Sequence, residues 1–122
     1  MKRILIVEDV EYNRDLLIQL LEDEHEILVA VDGKEGVEVA ARERPDLVLL
    51  DISLPVLDGW QAVRQLKESE ATRAIPVIAL TSHAMRGDEE RARELGCDGY
   101  ITKPIDEAEL MAAITKLLGP SS

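Results

Sequence analysis

Five short apolar runs punctuate this chain: Ile4 to Val7, Ile27 to Val31, Leu47 to Leu50, Val77 to Leu80, and a weaker one at Tyr100 and Ile101. None of them alternates with polar residues. A strand with one face in water alternates, whereas a strand buried on both faces does not, and such strands belong to parallel sheets covered by helices. The segments between the runs supply those helices. Leu16, Leu17, Leu20 and Leu21 fall at helical spacing within residues 13–23. Asp32 with Glu35, Asp58 with Gln61 and Asp106 with Glu109 each have the form of a capping box, in which side chains satisfy the first backbone N–H groups of a helix. Behind these caps come apolar stripes: Val37, Ala40 and Ala41; then Ala62, Val63 and Leu66; then Leu110, Ala113, Ile114 and Leu117. Pro45 closes the second helix, and a fourth is predicted from Arg86 to Leu95, stopped by Gly96.

Strand then helix, five times over, with right-handed crossovers, predicts an α/β fold. The expected architecture is a doubly wound, five-stranded parallel sheet of flavodoxin-like form, strand order 2-1-3-4-5, with its crevice between the first and third strands. A length of 122 residues suits one domain spanning 1–122, with 119–122 as a frayed tail. Only 2% of residues are aromatic, so the core must be aliphatic. The net charge of −11 opposes binding to nucleic acid or to an anionic membrane surface and favours a cation. A lone cysteine, Cys97, excludes an internal disulfide and is expected to pack in the core; with no signal-like or membrane-spanning run, a cytoplasmic location is expected. His25 lies in an acidic stretch without partners for a metal site, and Trp60 is expected to serve packing.

Polar residues terminate four of the five runs. The first ends in Glu8 and Asp9, the third in Asp51, the fourth in Thr81, and the fifth in Thr102 and Lys103. In a parallel sheet these ends converge on one edge, although they are drawn from most of the length of the chain. Each residue alone has an ordinary explanation as a cap, a loop acid or a surface lysine. Their coincidence does not. Three carboxylates brought together repel one another unless a cation joins them, and Mg²⁺ suits oxygen ligands of this kind. With a metal present, an oxygen of Asp51 can attack phosphorus to give an acyl phosphate, while Lys103 spreads charge and Thr81 donates a hydrogen bond.

The segments ILIVED (4–9), DLVLLDISLPVLDG (46–59), PVIALTSHA (76–84) and GYITKP (99–104) resemble the receiver domains of two-component response regulators, the CheY-like family. The likeness covers essentially the whole chain. It implies that Glu8, Asp9 and Asp51, with the backbone carbonyl of Ser53, hold Mg²⁺. It further implies that Asp51 is the phosphoacceptor, that Thr81 and Tyr100 are the switch pair, that Lys103 is the family's lysine, and that the Lys103–Pro104 bond is cis. Ser53 and His83 align with positions that tune the acyl phosphate's lifetime, where an imidazole could order water. The phosphodonor implied is a histidine kinase or a histidine phosphotransfer protein, meeting the first helix and the loop after the fifth strand at Asn13, Leu17, Pro104 and Ile105. A downstream protein would be met by the face of the fourth helix, fifth strand and fifth helix.

Around Asn13 and Arg14 the sequence VEDVEYNRDLL resembles phosphorelay receivers, either stand-alone regulators of the DivK kind or domains of hybrid histidine kinases. The expected activity is confined to the chain's own Mg²⁺-dependent phosphorylation and dephosphorylation, so it is not an enzyme acting on other substrates. An aspartyl phosphohydrolase would need an acid where Ser53 stands. A flavin carrier would need a hydroxyl- and glycine-rich cradle after the first strand. A phosphorylation-independent adaptor would have no use for the complete acidic set.

Overall fold

The computed structural model describes residues 2–52, 58–81 and 86–119. Its elements run in strict alternation: β1 (Lys2–Val7), α1 (Glu11–Leu21), β2 (His25–Ala30), α2 (Gly33–Glu43), β3 (Leu47–Asp51), α3 (Gly59–Glu68), β4 (Val77–Thr81), α4 (Asp88–Leu95), β5 (Gly99–Thr102) and α5 (Glu107–Leu118). All strand pairs are parallel, in the order β2-β1-β3-β4-β5. The predicted architecture is the observed one.

Alternate residues of the buried strands feed two separate cores. Leu5, Val7, Val48, Leu50 and Val77 pack against Val39 and Ala40 of α2 and Ala62, Val63 and Leu66 of α3. Ile4, Ile6, Leu47, Leu49, Ile78 and Leu80 face the other way, onto Leu17 and Leu21 of α1 and Leu110 and Ile114 of α5. Burial of each such side chain is worth about 1.5–3 kcal/mol, so the sheet is held from both sides by comparable aliphatic layers. A smaller cluster joins Ile52, Ala79 and Ala92, flanked by Trp60, Cys97 and Tyr100, and is the main anchor of α4.

The caps form as expected at Asp32, Asp58 and Asp106, whose side chains accept from the N–H groups of Glu35, Gln61 and Glu109 at 2.8, 3.0 and 3.1 Å. Glu35 reaches back one residue further than a capping box requires, accepting from Val31 N–H at 2.9 Å. The α2 stripe is rotated from its predicted position: Gly33, Gly36, Val39 and Ala40 are buried and Ala41 is exposed. Gly36 accounts for this, because a Cβ there would lie 2.9 Å from the Val7 methyls, and only glycine lets the helix settle so close to β1. The second strand begins at His25, earlier than its apolar run, because Lys2 and Arg3 of β1 pair in register with His25 and Glu26. His25 is consequently a buried strand residue and not part of an acidic turn; its Nδ1 has no hydrogen-bond partner. The fourth helix starts at Asp88, two residues late, since Gly87 before it is left-handed at φ 90°. No described helix is long and apolar enough to cross a membrane.

Candidate functional site

The rungs of the sheet bring the predicted polar residues to one edge. Val7 is paired with Leu50, Asp51 with Leu80, and Thr81 with Thr102, so Glu8, Asp51, Thr81 and Lys103 each stand at or just past the carboxyl end of neighbouring strands. Backbone bonds carry the ladder past those ends: Glu8 N–H to Ala30 O at 3.0 Å, Ile52 N–H to Leu80 O at 2.9 Å and Lys103 N–H to Thr81 O at 2.7 Å. The site is therefore mounted directly on the hydrogen-bonded ladder of the sheet. Gly59 holds the next helix against it. Its N–H bonds to Ile52 O at 2.8 Å, and a Cβ would fall 2.2 Å from the Ile52 Cα, so α3 can abut the end of β3 only through glycine.

Carboxylate oxygens of Glu8, Asp9 and Asp51 all lie within 4.8 Å of one another. Glu8 is fully buried and Asp51 is 5% exposed, whereas Asp9 opens to solvent. The Lys103 ammonium bridges two of them, donating to Glu8 Oε1 at 2.6 Å and to Asp51 Oδ2 at 3.0 Å. Burial pushes the Glu8 carboxyl above its ordinary pKa, helped by the nearby Asp51 charge and opposed by the Lys103 and Val10 hydrogen bonds. Burial also works against the Lys103 ammonium, but its bonds to Glu8 and Asp51 outweigh this and raise its pKa. Among the described residues two of the three carboxylates thus share the Lys103 ammonium and the third stands alongside, leaving a surplus of negative charge that matches a divalent cation with oxygen ligands. The donor set fits a hard metal.

Thr81 is buried at 3% exposure at the end of β4. Tyr100 lies on β5 beside Ala92 with its hydroxyl buried and unpartnered, and burial, then the charges of Asp88 and Glu89, raise its pKa. The Lys103–Pro104 peptide is cis, as the resemblance implied. Ser53 and His83 lie outside the described residues. Beside Glu8 and Lys103 opens a groove of about 660 Å³ between α1 and the β5–α5 connection, lined by Tyr12, Asn13, Leu16, Leu20, Pro104 and Ile105 among others. Two contacts were not foreseen. Arg14 donates through Nη1 to the carbonyls of Glu8 and Asp9 at 3.1 and 3.4 Å, and the Arg91 guanidinium stacks 4.3 Å above the Trp60 ring. The only cue to the first was a basic residue one turn into the helix behind the acidic pair.

A sheet of this order with acids and a lysine gathered at its carboxyl edge defines a phosphoryl-accepting signalling module, and sequence comparison agrees. The profile of the response regulator receiver domain matches residues 4–115, and the chain belongs to that family. It functions as a phosphoacceptor receiver domain of two-component signal transduction. It is similar to the polar-differentiation response regulator DivK of Brucella anthropi, 43% identical over 119 residues and covering 97% of each chain. Among solved structures, the receiver domain of a sensor histidine kinase from Pseudomonas aeruginosa is 36% identical, with a TM-score of 0.88 and 98% of each chain covered; that crystal structure has a magnesium ion coordinated in its active site cleft. The signal receiver domain of a histidine kinase from Syntrophus aciditrophicus is 35% identical, with a TM-score of 0.88, covering 97% of this chain and 90% of its own.

Proposed function

We propose that Asp51 is the phosphoacceptor of this receiver domain, working with Mg²⁺ held by Glu8, Asp9 and Asp51. The observation that carries this reading is the gathering of three carboxylates, two of them buried, beside the Lys103 ammonium, which among the described residues bridges Glu8 and Asp51. The backbone carbonyl of Ser53 completes the proposed ligand set. Glu8, Asp9 and Asp51 would hold the metal ion, which when bound would supply charge stabilisation for the phosphoryl group. Lys103, already poised between Glu8 and Asp51, meets a phosphoryl oxygen as Asp51 attacks phosphorus. The O–P bond to Asp51 forms as the N–P bond of a phosphohistidine donor breaks, and the donor imidazole leaves. Attack by water on the same phosphorus returns Asp51 and inorganic phosphate, so the chain catalyses only its own phosphorylation and dephosphorylation.

The donor in this reading is a histidine kinase or a histidine phosphotransfer protein. The groove between α1 and the β5–α5 connection supports docking there, because it is apolar along Leu16, Leu20 and Ile105 and opens beside the site at Glu8 and Lys103. Thr81 and Tyr100 form the proposed switch, and the face of α4, β5 and α5 carries the downstream contact. An unpartnered Tyr100 hydroxyl is consistent with a side chain that has a second position to take up. Likeness to DivK favours a stand-alone regulator, and likeness to two kinase-derived receivers keeps a hybrid-kinase origin as the second reading. Transfer assays separate them, because a hybrid-kinase receiver is loaded fastest by its own kinase core.

Incubation with acetyl phosphate and Mg²⁺, followed by intact mass measurement, tests the central assignment. The wild-type chain is expected to gain one phosphoryl group that is base-labile and lost with chelator during loading, and Asp51→Asn none. Equal labelling of Asp51→Asn would place the phosphoacceptor elsewhere.

A further inference from the structure

The acidic turn between β1 and α1 is held by Glu8, whose N–H donates to Ala30 O at 3.0 Å and whose carboxylate accepts from Val10 N–H at 3.2 Å. It carries two of the three clustered carboxylates, and Val10, the residue before α1, offers no side-chain cap. Asp9 is exposed, and among the described residues no protein group hydrogen-bonds its carboxylate. Where that carboxylate points is therefore set by the backbone of the turn. The Glu8 and Asp9 carbonyls precede the helix and lie outside its bonding ladder. Both are taken by one nitrogen: Nη1 of Arg14 has two hydrogens and stands 3.1 Å from Glu8 O and 3.4 Å from Asp9 O. Arg14 is itself fixed in the first turn of α1 by its N–H bond to Val10 O at 2.9 Å.

We infer that Arg14 is the positioning residue of the metal site, locking the carbonyls of Glu8 and Asp9 so that their side chains face Asp51. The inference rests on the metal-site reading above and adds to it a residue that touches neither metal nor phosphoryl group. Two effects of Arg14 on a bound cation have opposite signs. Its charge, one helical turn from the carboxylates, repels Mg²⁺, so on Coulomb grounds its removal would tighten binding. Its hydrogen bonds orient the ligands, so their removal loosens binding, and outer-sphere groups of this sort are typically worth about 10–100-fold in metal affinity. The bonds act directly on the backbone of the ligand residues, whereas the half-exposed charge is screened by solvent, so the orienting effect is the larger. The sign of the change is the discriminating observable.

Titration calorimetry of Mg²⁺ into the full chain, with wild type, Arg14→Met and Arg14→Lys, reads that sign directly. Arg14→Met keeps the stem, and is expected to weaken Mg²⁺ roughly tenfold. Arg14→Lys keeps the charge and one donor group, and is expected to fall between the two. Thermal unfolding in chelator shows whether each variant is folded, and Arg14→Lys stands as the working comparison if Arg14→Met is not. With acetyl phosphate, the wild-type maximal rate is expected to return in Arg14→Met once Mg²⁺ is saturating, a recovery that general structural damage would not allow. Unchanged or tighter Mg²⁺ binding in folded variants overturns the inference while leaving the metal site in place. Absence of Mg²⁺ binding in the wild-type chain overturns both together.

Discussion

Two lysines, one at each end of the sheet, show how similar chemistry can close a structural cluster in one place and, on the proposed reading, serve function in another. At the amino end, Lys67 of α3 donates to the carbonyls of Ile75 and Arg73 at 2.8 and 3.2 Å and reaches Asp98 at 3.4 Å. Asp98 also accepts from Val77 N–H at 3.0 Å, so one ammonium and one carboxylate pin the entries to β4 and β5. Charge there is balanced, and most of the partners are backbone. At the carboxyl end, Lys103 has no such balance: its partners are carboxylates, with a third acid alongside. A closed polar cluster fixes the fold. An open one, left with net charge, has a place for something that the chain does not itself provide.

The comparison breaks most visibly under substitution of the two lysines. Lys103→Met is expected to slow phosphorylation by acetyl phosphate about a hundredfold or more, as loss of one charge-stabilising donor typically does. It also strands the buried Glu8 charge, at a cost of about 3 kcal/mol in urea unfolding, and millimolar Mg²⁺ should restore much of that loss. Lys67→Met is expected to lose about 1–3 kcal/mol through its unpaired carbonyls, with no rescue by Mg²⁺ and no change in phosphorylation rate. Mg²⁺ rescue of Lys67→Met, or its absence in Lys103→Met, would erase the distinction. Gly59→Ala tests the rigid mounting of the carboxyl end: the crowded Cβ is expected to cost about 1–3 kcal/mol in the same urea measurement. An unchanged midpoint would show that α3 need not abut Ile52.

The smallest effect is alkaline. Burial, the main cause, pushes the Cys97 thiol from 9.0 up to about 11, against the opposing charge of Lys67. The folded chain thus keeps a proton that the unfolded chain gives up first, and the stability this adds is full below pH 9.0 and lost as pH climbs toward 11. Lys103 is also raised, above 10.5, so its contribution has the same sign and disappears only at still higher pH. Cys97→Ala should therefore flatten the first part of the alkaline decline in thermal midpoint, between pH 9.0 and 11. A Cys97→Ala curve parallel to wild type over that window would remove the thiol from the account.

Most of this arrangement was legible from local pattern. The unbroken apolar runs announced buried parallel strands, and Asp32, Asp58 and Asp106 marked three helix starts, because a cap is a contact over three residues that sequence displays directly. Glu8, Asp51, Thr81 and Lys103 followed from topology, since parallel strands send their last residues to one edge. What local pattern hid were contacts decided by packing. The α1 start at Glu11 is set by the Glu8 carboxylate, which accepts from Val10 N–H at 3.2 Å, and not by any cap in the helix. The start of β2 at His25 is set by its partner strand, where Arg3 binds Glu26 at 3.2 Å. Arg14, one turn behind the acidic pair, was too weak a cue to reveal its two carbonyl partners, because a guanidinium on a helix surface is ordinarily solvated.

The bond between Lys103 and Glu8 spans 95 positions of the chain. Closing so long a loop costs chain entropy that no local contact repays, so the contact depends on the pairing of β1, β3, β4 and β5 that brings its two ends to one edge. During synthesis the acids emerge early and the lysine last. Until β5 joins the edge, the three acids therefore stand without the Lys103 counter-charge. On the proposed reading, a donor that meets such a chain transfers its phosphoryl group more slowly, so the rate of phosphorylation also senses whether β5 is in place.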